Sequence, residues 1–95
     1  MYLGRRRTLK RKYCGEAKII CDNGLNATLY YYLLKQNDGF GIEVAMLRSG
    51  IWDSASVHHI TTSAMRIENL LDCLMRNTVT PCTLQEIVLE EINKY

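Results

Sequence analysis

Apolar residues recur at every second position over much of the first two thirds of the chain. From Phe40 to Met46 every second residue is large and apolar, and the residues between them are smaller or polar. This period matches a strand with one buried face. Other segments of strand composition are 17–22, 27–35 and 54–60. The pattern therefore predicts a sheet of about four strands.

Short turns separate these segments. Asn-Gly at 23–24, Asp-Gly at 38–39 and Ser-Gly at 49–50 each combine a residue that tolerates positive φ with a glycine. Connections this short join antiparallel neighbours, because a parallel pair needs a crossover of about a dozen residues. The predicted topology is a meander.

The hydrophobic period lengthens after residue 61, which indicates helices. Thr61, Thr62 and Ser63 favour a helix N-cap, whereas Asn77 and Pro81 favour a helix end. The apolar stripe of this first helix comprises Ile67, Leu70, Leu71 and Leu74. A capping-box sequence at 83–86 opens a second helix, whose stripe comprises Leu84, Ile87, Val88 and Ile92. The two helices are expected to form a hairpin.

Together these elements predict an α+β fold. An antiparallel sheet of about four strands is followed by a C-terminal helical hairpin packed on one face, with the end of the N-terminal arm as a candidate fifth strand. We divide the chain into a basic arm, 1–12, and a single α+β domain, 13–95.

Several packing and turn segments resemble a known family. They are Tyr31-Tyr32-Leu33-Leu34, Phe40-Gly41-Ile42-Glu43-Val44, Ala55-Ser56-Val57 with Ile60, and Asn77-Thr78-Val79-Thr80-Pro81 with Leu84. Residues 27–92 are similar to a family of small uncharacterised proteins from low-GC Gram-positive bacteria, classed as a domain of unknown function. The resemblance implies no activity, cofactor or site residue.

Charge is distributed unevenly along the 95 residues. The arm contains no acidic residue and has six cations, Arg5, Arg6, Arg7, Lys10, Arg11 and Lys12. The rest of the chain then holds six basic and ten acidic side chains. No apolar segment approaches the ~20 residues of a membrane span, and none follows the arginines as a secretory signal requires. We therefore expect a cytoplasmic protein that does not contact membranes.

The basic arm has two interpretations. Its cations could contact nucleic-acid phosphates, with Tyr13 and the tyrosines at 30–32 stacking on bases if they share a side. The alternative is a solvated terminus, which the acidic body favours because it would repel a phosphate backbone.

Catalytic and metal-binding patterns are not recognisable. Six residues separate Cys14 from Cys21 and eight separate Cys73 from Cys82, unlike the close pairs of structural zinc sites. In a cytosolic chain we expect four reduced thiols. The neighbouring histidines at 58–59 should point to opposite faces of a strand. We therefore expect no catalytic residue, no metal ligand and no cofactor, and interpret the protein as a non-enzyme.

The sheet face opposite the helices is the remaining candidate site. Two helices cover one face, so Tyr30, Tyr32, Leu34 and Leu47 should remain exposed on the other. Aromatic and apolar side chains of this kind are enriched at protein interfaces. The leading hypothesis is a module that binds an unknown protein partner or forms a homo-oligomer through this face. The alternative is that the N-terminal segment or the loop with Trp52 covers it.

Overall fold

The computed structural model describes residues 10–93. Within this range a four-stranded antiparallel sheet has the order β1-β2-β3-β4. Its strands are β1 (Lys10–Ile20), β2 (Asn26–Gln36), β3 (Gly39–Arg48) and β4 (Ile51–Thr61). The helices are α1 (Ala64–Arg76) and α2 (Leu84–Ile92), with a single 3-10 turn (Pro81–Thr83) before α2. The predicted α+β meander with two C-terminal helices is confirmed.

The start of β1 differs from the sequence-based boundary. The strand begins at Lys10, so the last three residues of the predicted arm belong to the sheet and pair with β2. They extend β1 and do not form a fifth strand. A bulge between Tyr13 and Gly15 inserts one extra residue into β1 and shifts its register with β2. The residues before and after the bulge therefore alternate between the two faces of the sheet as if the extra residue were absent.

The turn between β3 and β4 sets the register of the edge strand. Ser49 and Gly50 have φ of 52° and 77°, and both positive values match a two-residue type I′ turn. Arg48 therefore pairs with Ile51, and the same register continues as far as Val57. Between Val57 and Thr61 the register shifts at a second bulge, where His59 has φ 54°.

Both helices pack on one face of the sheet. α1 contacts all four strands, whereas α2 contacts β4 and the 3-10 turn. The shortest dimension of the fold, 19 Å, is that of one sheet layer and one helix layer. The fully buried side chains between the layers include Leu29, Tyr31, Ile42, Val44, Ile67, Leu74, Leu84 and Val88. The helical stripes predicted from the sequence supply most of the helix side of this core.

The helix ends combine one expected cap with two features that the sequence did not predict. Ser63 accepts a hydrogen bond from the Arg66 backbone N–H at 3.2 Å, as an N-cap does. The predicted capping box at 83–86 is wrong. Thr83 makes no capping bond to α2 and instead bonds the Thr80 carbonyl oxygen, because the 3-10 turn already occupies that position.

The connection after α1 ends in a Schellman motif. The N–H of Val79 bonds the Leu74 carbonyl at 3.0 Å, and the N–H of Thr78 bonds the Met75 carbonyl at 3.2 Å. Thr78 takes the left-handed position of this motif with φ 47°, although its branched side chain disfavours that conformation. None of the helices in 10–93 has the length and apolarity to cross a membrane.

Candidate interaction surface on the sheet

Strand register identifies the side chains on the sheet face opposite the helices, which we call the free face. On β2 the buried Leu29 and Tyr31 point to the core, so Tyr30 and Tyr32 point away from it. Tyr30 is opposite Ala45 on β3, and Tyr32 is opposite Tyr13 on β1 and Glu43 on β3. The free face therefore draws residues from all four strands.

Four aromatic side chains cross the free face diagonally and form what we call the aromatic stripe, Tyr13, Tyr32, Tyr30 and Trp52. The rings of Tyr13 and Tyr32 lie 5.9 Å apart, edge to face. Those of Tyr30 and Trp52 lie 5.5 Å apart. Tyr13 is 51% exposed and Trp52 58% exposed, so both ends of the stripe are open to solvent.

The structure places the four sequence-predicted face residues differently from one another. Tyr30, Tyr32 and Leu47 are half-buried, and Leu47 lies opposite Trp52. Leu34 belongs to the same face by alternation but is only 3% exposed, so it offers no accessible surface. Its cross-strand neighbour Gly41 lies where the backbone of β4 at the second bulge approaches closely.

Sequence reasoning missed both ends of the stripe as face residues. Tyr13 reaches the free face only because β1 extends back into the basic segment. Trp52 was assigned to a loop, whereas it is the second residue of β4. The positive φ values of the Ser-Gly turn at 49–50 start β4 at Ile51, and strict alternation from there places Trp52 beside Leu47.

Polar side chains on the free face bind one another and the aromatic rings. The Arg11 guanidinium lies 4.1 Å from the centre of the Tyr32 ring and 2.8 Å from a Glu43 carboxylate oxygen. The Tyr13 hydroxyl donates a hydrogen bond to Glu16 at 2.8 Å. This bond raises the pKa of Tyr13, because it favours the protonated phenol.

The charges of the free face balance. Its described cations are Arg11 and Lys18, and its anions are Glu16 and Glu43. Arg5, Arg6 and Arg7 lie outside the described residues. Lys10 and Lys12 alternate with Arg11 along β1, so their side chains leave the sheet on the opposite side. The described part of the basic arm therefore does not form a single cationic patch.

A polar cluster lies at the end of the sheet where β4 has its second bulge. The Ser56 hydroxyl is 3.3 Å from Nε2 of His58, and Nδ1 of His58 is 3.1 Å from the Gln36 amide nitrogen. His59 instead contacts Asp38, with its Nδ1 3.1 Å from the carboxylate. The serine and histidine are thus adjacent, as in a hydrolase, so the direction of their hydrogen bond decides what they can do.

The Gln36 amide fixes that direction. Its oxygen accepts from the His59 backbone N–H at 3.1 Å, so its nitrogen is the atom that faces His58. An amide nitrogen donates, so Nδ1 of His58 accepts and the neutral ring carries its proton on Nε2. His58 then donates to Ser56 and cannot take the serine proton. This tautomer does not activate the hydroxyl as a nucleophile.

Residues 10–93 contain no assembled metal site and no disulfide-bonded cysteines. No three His, Cys, Asp or Glu side chains of this part of the chain converge on a point that could hold an ion. The four cysteines are unpaired, and only Cys82 is exposed. A cleft of about 190 Å³ lies between the end of β4 and the two helices, with Arg66 and Glu91 on its walls.

Comparison with known proteins identifies a family but no activity. Neither the search of curated proteins nor that of solved structures found a match to the chain. The family comparison gave one, over residues 10–94, which covers every strand and both helices. The resemblance to a domain of unknown function is confirmed to that extent, and the match begins at Lys10, where β1 begins. The chain belongs to DUF6514, a family of unknown function.

Proposed function

We propose that the protein is a non-enzymatic interaction module that binds another protein through the free face. The observation that carries the proposal is the aromatic stripe, which remains partly exposed in a two-layer fold with no third layer over it among the described residues. Aromatic side chains contribute most of the binding energy at many protein interfaces. An exposed patch formed by four neighbouring aromatic side chains is typical of a contact surface.

The dimensions of the free face fit a protein interface. Four strands of 10 or 11 residues span about 35 Å along the strands and about 15–19 Å across them, from the usual spacings of a sheet. The area is then roughly 500–700 Å², close to the ~800 Å² that each partner contributes to a standard interface. Exposed Ile20 extends the apolar surface at the end of β1.

Electrostatics favour a protein partner over nucleic acid. The described charges of the free face sum to zero, so the face has no excess of cations to release counterions from a phosphate backbone. Arg11 already covers one side of the Tyr32 ring and pairs with Glu43. A nucleobase would have to displace that guanidinium before it could stack there.

The test compares charged substitutions on the two layers. We expect Trp52→Glu and Tyr32→Glu to abolish binding of a partner protein that affinity capture and mass spectrometry identify with the wild type. Met65→Glu is the matched control, because Met65 is 71% exposed on the helix side. Circular dichroism verifies that each variant folds. A partner that binds the two face variants as tightly as the wild type would refute the proposal.

Nucleic-acid binding is the second candidate function, and one contact favours it. Arg11, from the basic segment, lies on the aromatic stripe beside Tyr32, so a cation and stacking rings share a face. Removal of residues 1–9 leaves β1 intact and tests the cations at 5–7. Affinity for a single-stranded oligonucleotide should then fall and depend less on salt. Undiminished binding after this truncation would exclude a contribution from the three arginines at 5–7.

A further inference from the structure

The two edges of the sheet differ in how they are protected against pairing with another strand. β1 has four cations between Lys10 and Lys18 and a bulge at Tyr13, both of which oppose edge-to-edge contact. The other edge strand, β4, is regular from Ile51 to Val57, and Asp53 is its only charged residue there. This stretch of β4 is therefore the open edge of the sheet.

Hairpin geometry specifies which backbone groups of β4 point outward. A two-residue turn makes the flanking Arg48 and Ile51 a hydrogen-bonded pair. Alternation then directs the N–H and C=O groups of residues 53, 55 and 57 toward β3. Those of Trp52, Ser54 and Ser56 point away from the sheet, and all three residues are exposed.

We propose that β4 pairs with β4 of a second copy of this chain, antiparallel across a two-fold axis at Ser54. In this register Ser54 lies opposite its own copy, and Trp52 lies opposite Ser56 of the second copy. Each of these three pairs joins outward-pointing groups on both strands, so the contact forms about six main-chain hydrogen bonds. The result is a continuous eight-stranded sheet with the helices of both copies on the same side.

Side chains at the junction fit a second copy. Asp53 lies opposite Ala55 and not opposite the other Asp53, so the only charge of the segment meets no like charge directly. Ile51, which is 70% exposed, lies opposite Val57, and β-branched pairs of this kind stabilise adjacent strands. The bulge at 58–60 ends the pairing on each side. This contact uses the edge of the sheet and is independent of the proposed binding by the free face.

Proline at residue 54, on the two-fold axis, is the most specific test of this pairing. Ser54→Pro removes the outward N–H that donates across the junction, while the inward bonds to β3 remain. Each dimer loses two hydrogen bonds, so we expect the dimer dissociation constant to rise roughly thirtyfold or more. Ser54→Ala keeps the N–H and should dimerise like the wild type. Tyr32→Glu, two strands away from this edge on β2, should also leave the dimer intact, which separates this proposal from the free-face function.

Sedimentation velocity over a concentration series measures the mass, and amide exchange by NMR reports the register. In the wild type the amides of Trp52, Ser54 and Ser56 should gain protection as the concentration rises, whereas those of residues 53, 55 and 57 stay protected throughout. A wild type that remains monomeric at about millimolar concentration, or outward amides that become protected only when another protein is added, would overturn self-pairing. Because the exchange experiment uses the wild type, it decides the question even if Ser54→Pro does not fold.

Discussion

Tyr31 provides the most direct test of how the two layers are held together. It is fully buried on β2, and its hydroxyl donates a hydrogen bond to the carbonyl oxygen of Val79 at 2.9 Å. This bond ties the central strand to the connection between the helices, 48 residues along the chain. Tyr31→Phe removes the hydroxyl and keeps the ring, so it isolates the bond from the packing.

The difference in stability between the wild type and Tyr31→Phe has two parts, which depend differently on pH and oppose each other above pH 10. At neutral pH the variant leaves a carbonyl of the buried Val79 without this donor, which should lower the free energy of unfolding by about 1–3 kcal/mol. Burial also raises the pKa of Tyr31 to about 12. The unfolded chain has a tyrosine pKa near 10, so the protonated hydroxyl contributes fully below pH 10 and its contribution is lost between pH 10 and pH 12. A shift of this size corresponds to about 3 kcal/mol.

Urea unfolding followed by circular dichroism at pH 8 and at several values up to pH 11.5 measures both parts. The wild type should lose stability above pH 10 more steeply than Tyr31→Phe, because phenylalanine does not titrate. The lysines and the other tyrosines are common to both proteins, so their contributions cancel in the difference between the two stabilities. Equal stabilities at pH 8, or parallel pH profiles, would refute the view that this hydroxyl is buried and bonded in the folded state.

Two further substitutions test the backbone. Thr78→Gly should raise the free energy of unfolding by about 0.5–1 kcal/mol, because glycine relieves the left-handed strain but is more flexible when unfolded. Gly41→Ala should lower it by about 3 kcal/mol or more, because a Cβ there would overlap the Val57 carbonyl oxygen in the backbone of β4. Thermal and urea unfolding measure both. A destabilised Thr78→Gly, or a Gly41→Ala as stable as the wild type, would contradict the described backbone.

The sequence predicted the parts of the fold that local patterns encode. Alternation at 40–48 and the turn pairs Asn-Gly, Asp-Gly and Ser-Gly each depend on a few neighbouring residues, so the strand order follows without knowledge of the partner layer. The same holds for Ser63, whose capping bond spans three residues. The fold class could therefore be predicted from these segments alone.

Features that depend on distant contacts were not predictable. The beginning of β1 has no apolar period, because an edge strand with charged residues on both sides is held by its backbone bonds to β2. The capping box at 83–86 is a valid local pattern, but Pro81 starts a 3-10 turn that takes its place. Local propensity was overridden there by the connection to the core.

The candidate surface also combines features that a local pattern predicts with features that depend on distant contacts. Strand alternation placed Tyr30 and Tyr32 on the face away from the core, and their register with β3 puts them on that face. Whether a side chain on that face is accessible depends on its neighbours in other strands. Leu34 is buried beside Gly41, where β4 bulges, and no pattern within β2 carries that information.

The two proposed functions differ in what the Arg11 guanidinium must bind. In protein binding its pairing with Glu43 neutralises the free face, whereas in nucleic-acid binding Glu43 competes with phosphate for the same guanidinium. Glu43→Gln keeps the shape and removes that competition, and the partly exposed ion pair contributes about 1 kcal/mol or less to folding.

The same substitution therefore separates the two functions. If nucleic acid is the ligand, Glu43→Gln should raise the affinity for a single-stranded oligonucleotide several-fold, because one more cation becomes available for phosphate and the free face gains a net positive charge. If the ligand is a protein that covers the aromatic stripe, oligonucleotide affinity should stay negligible in both forms. Fluorescence anisotropy at two salt concentrations measures the difference. Oligonucleotide binding that strengthens in Glu43→Gln would overturn the argument that a neutral face favours a protein partner.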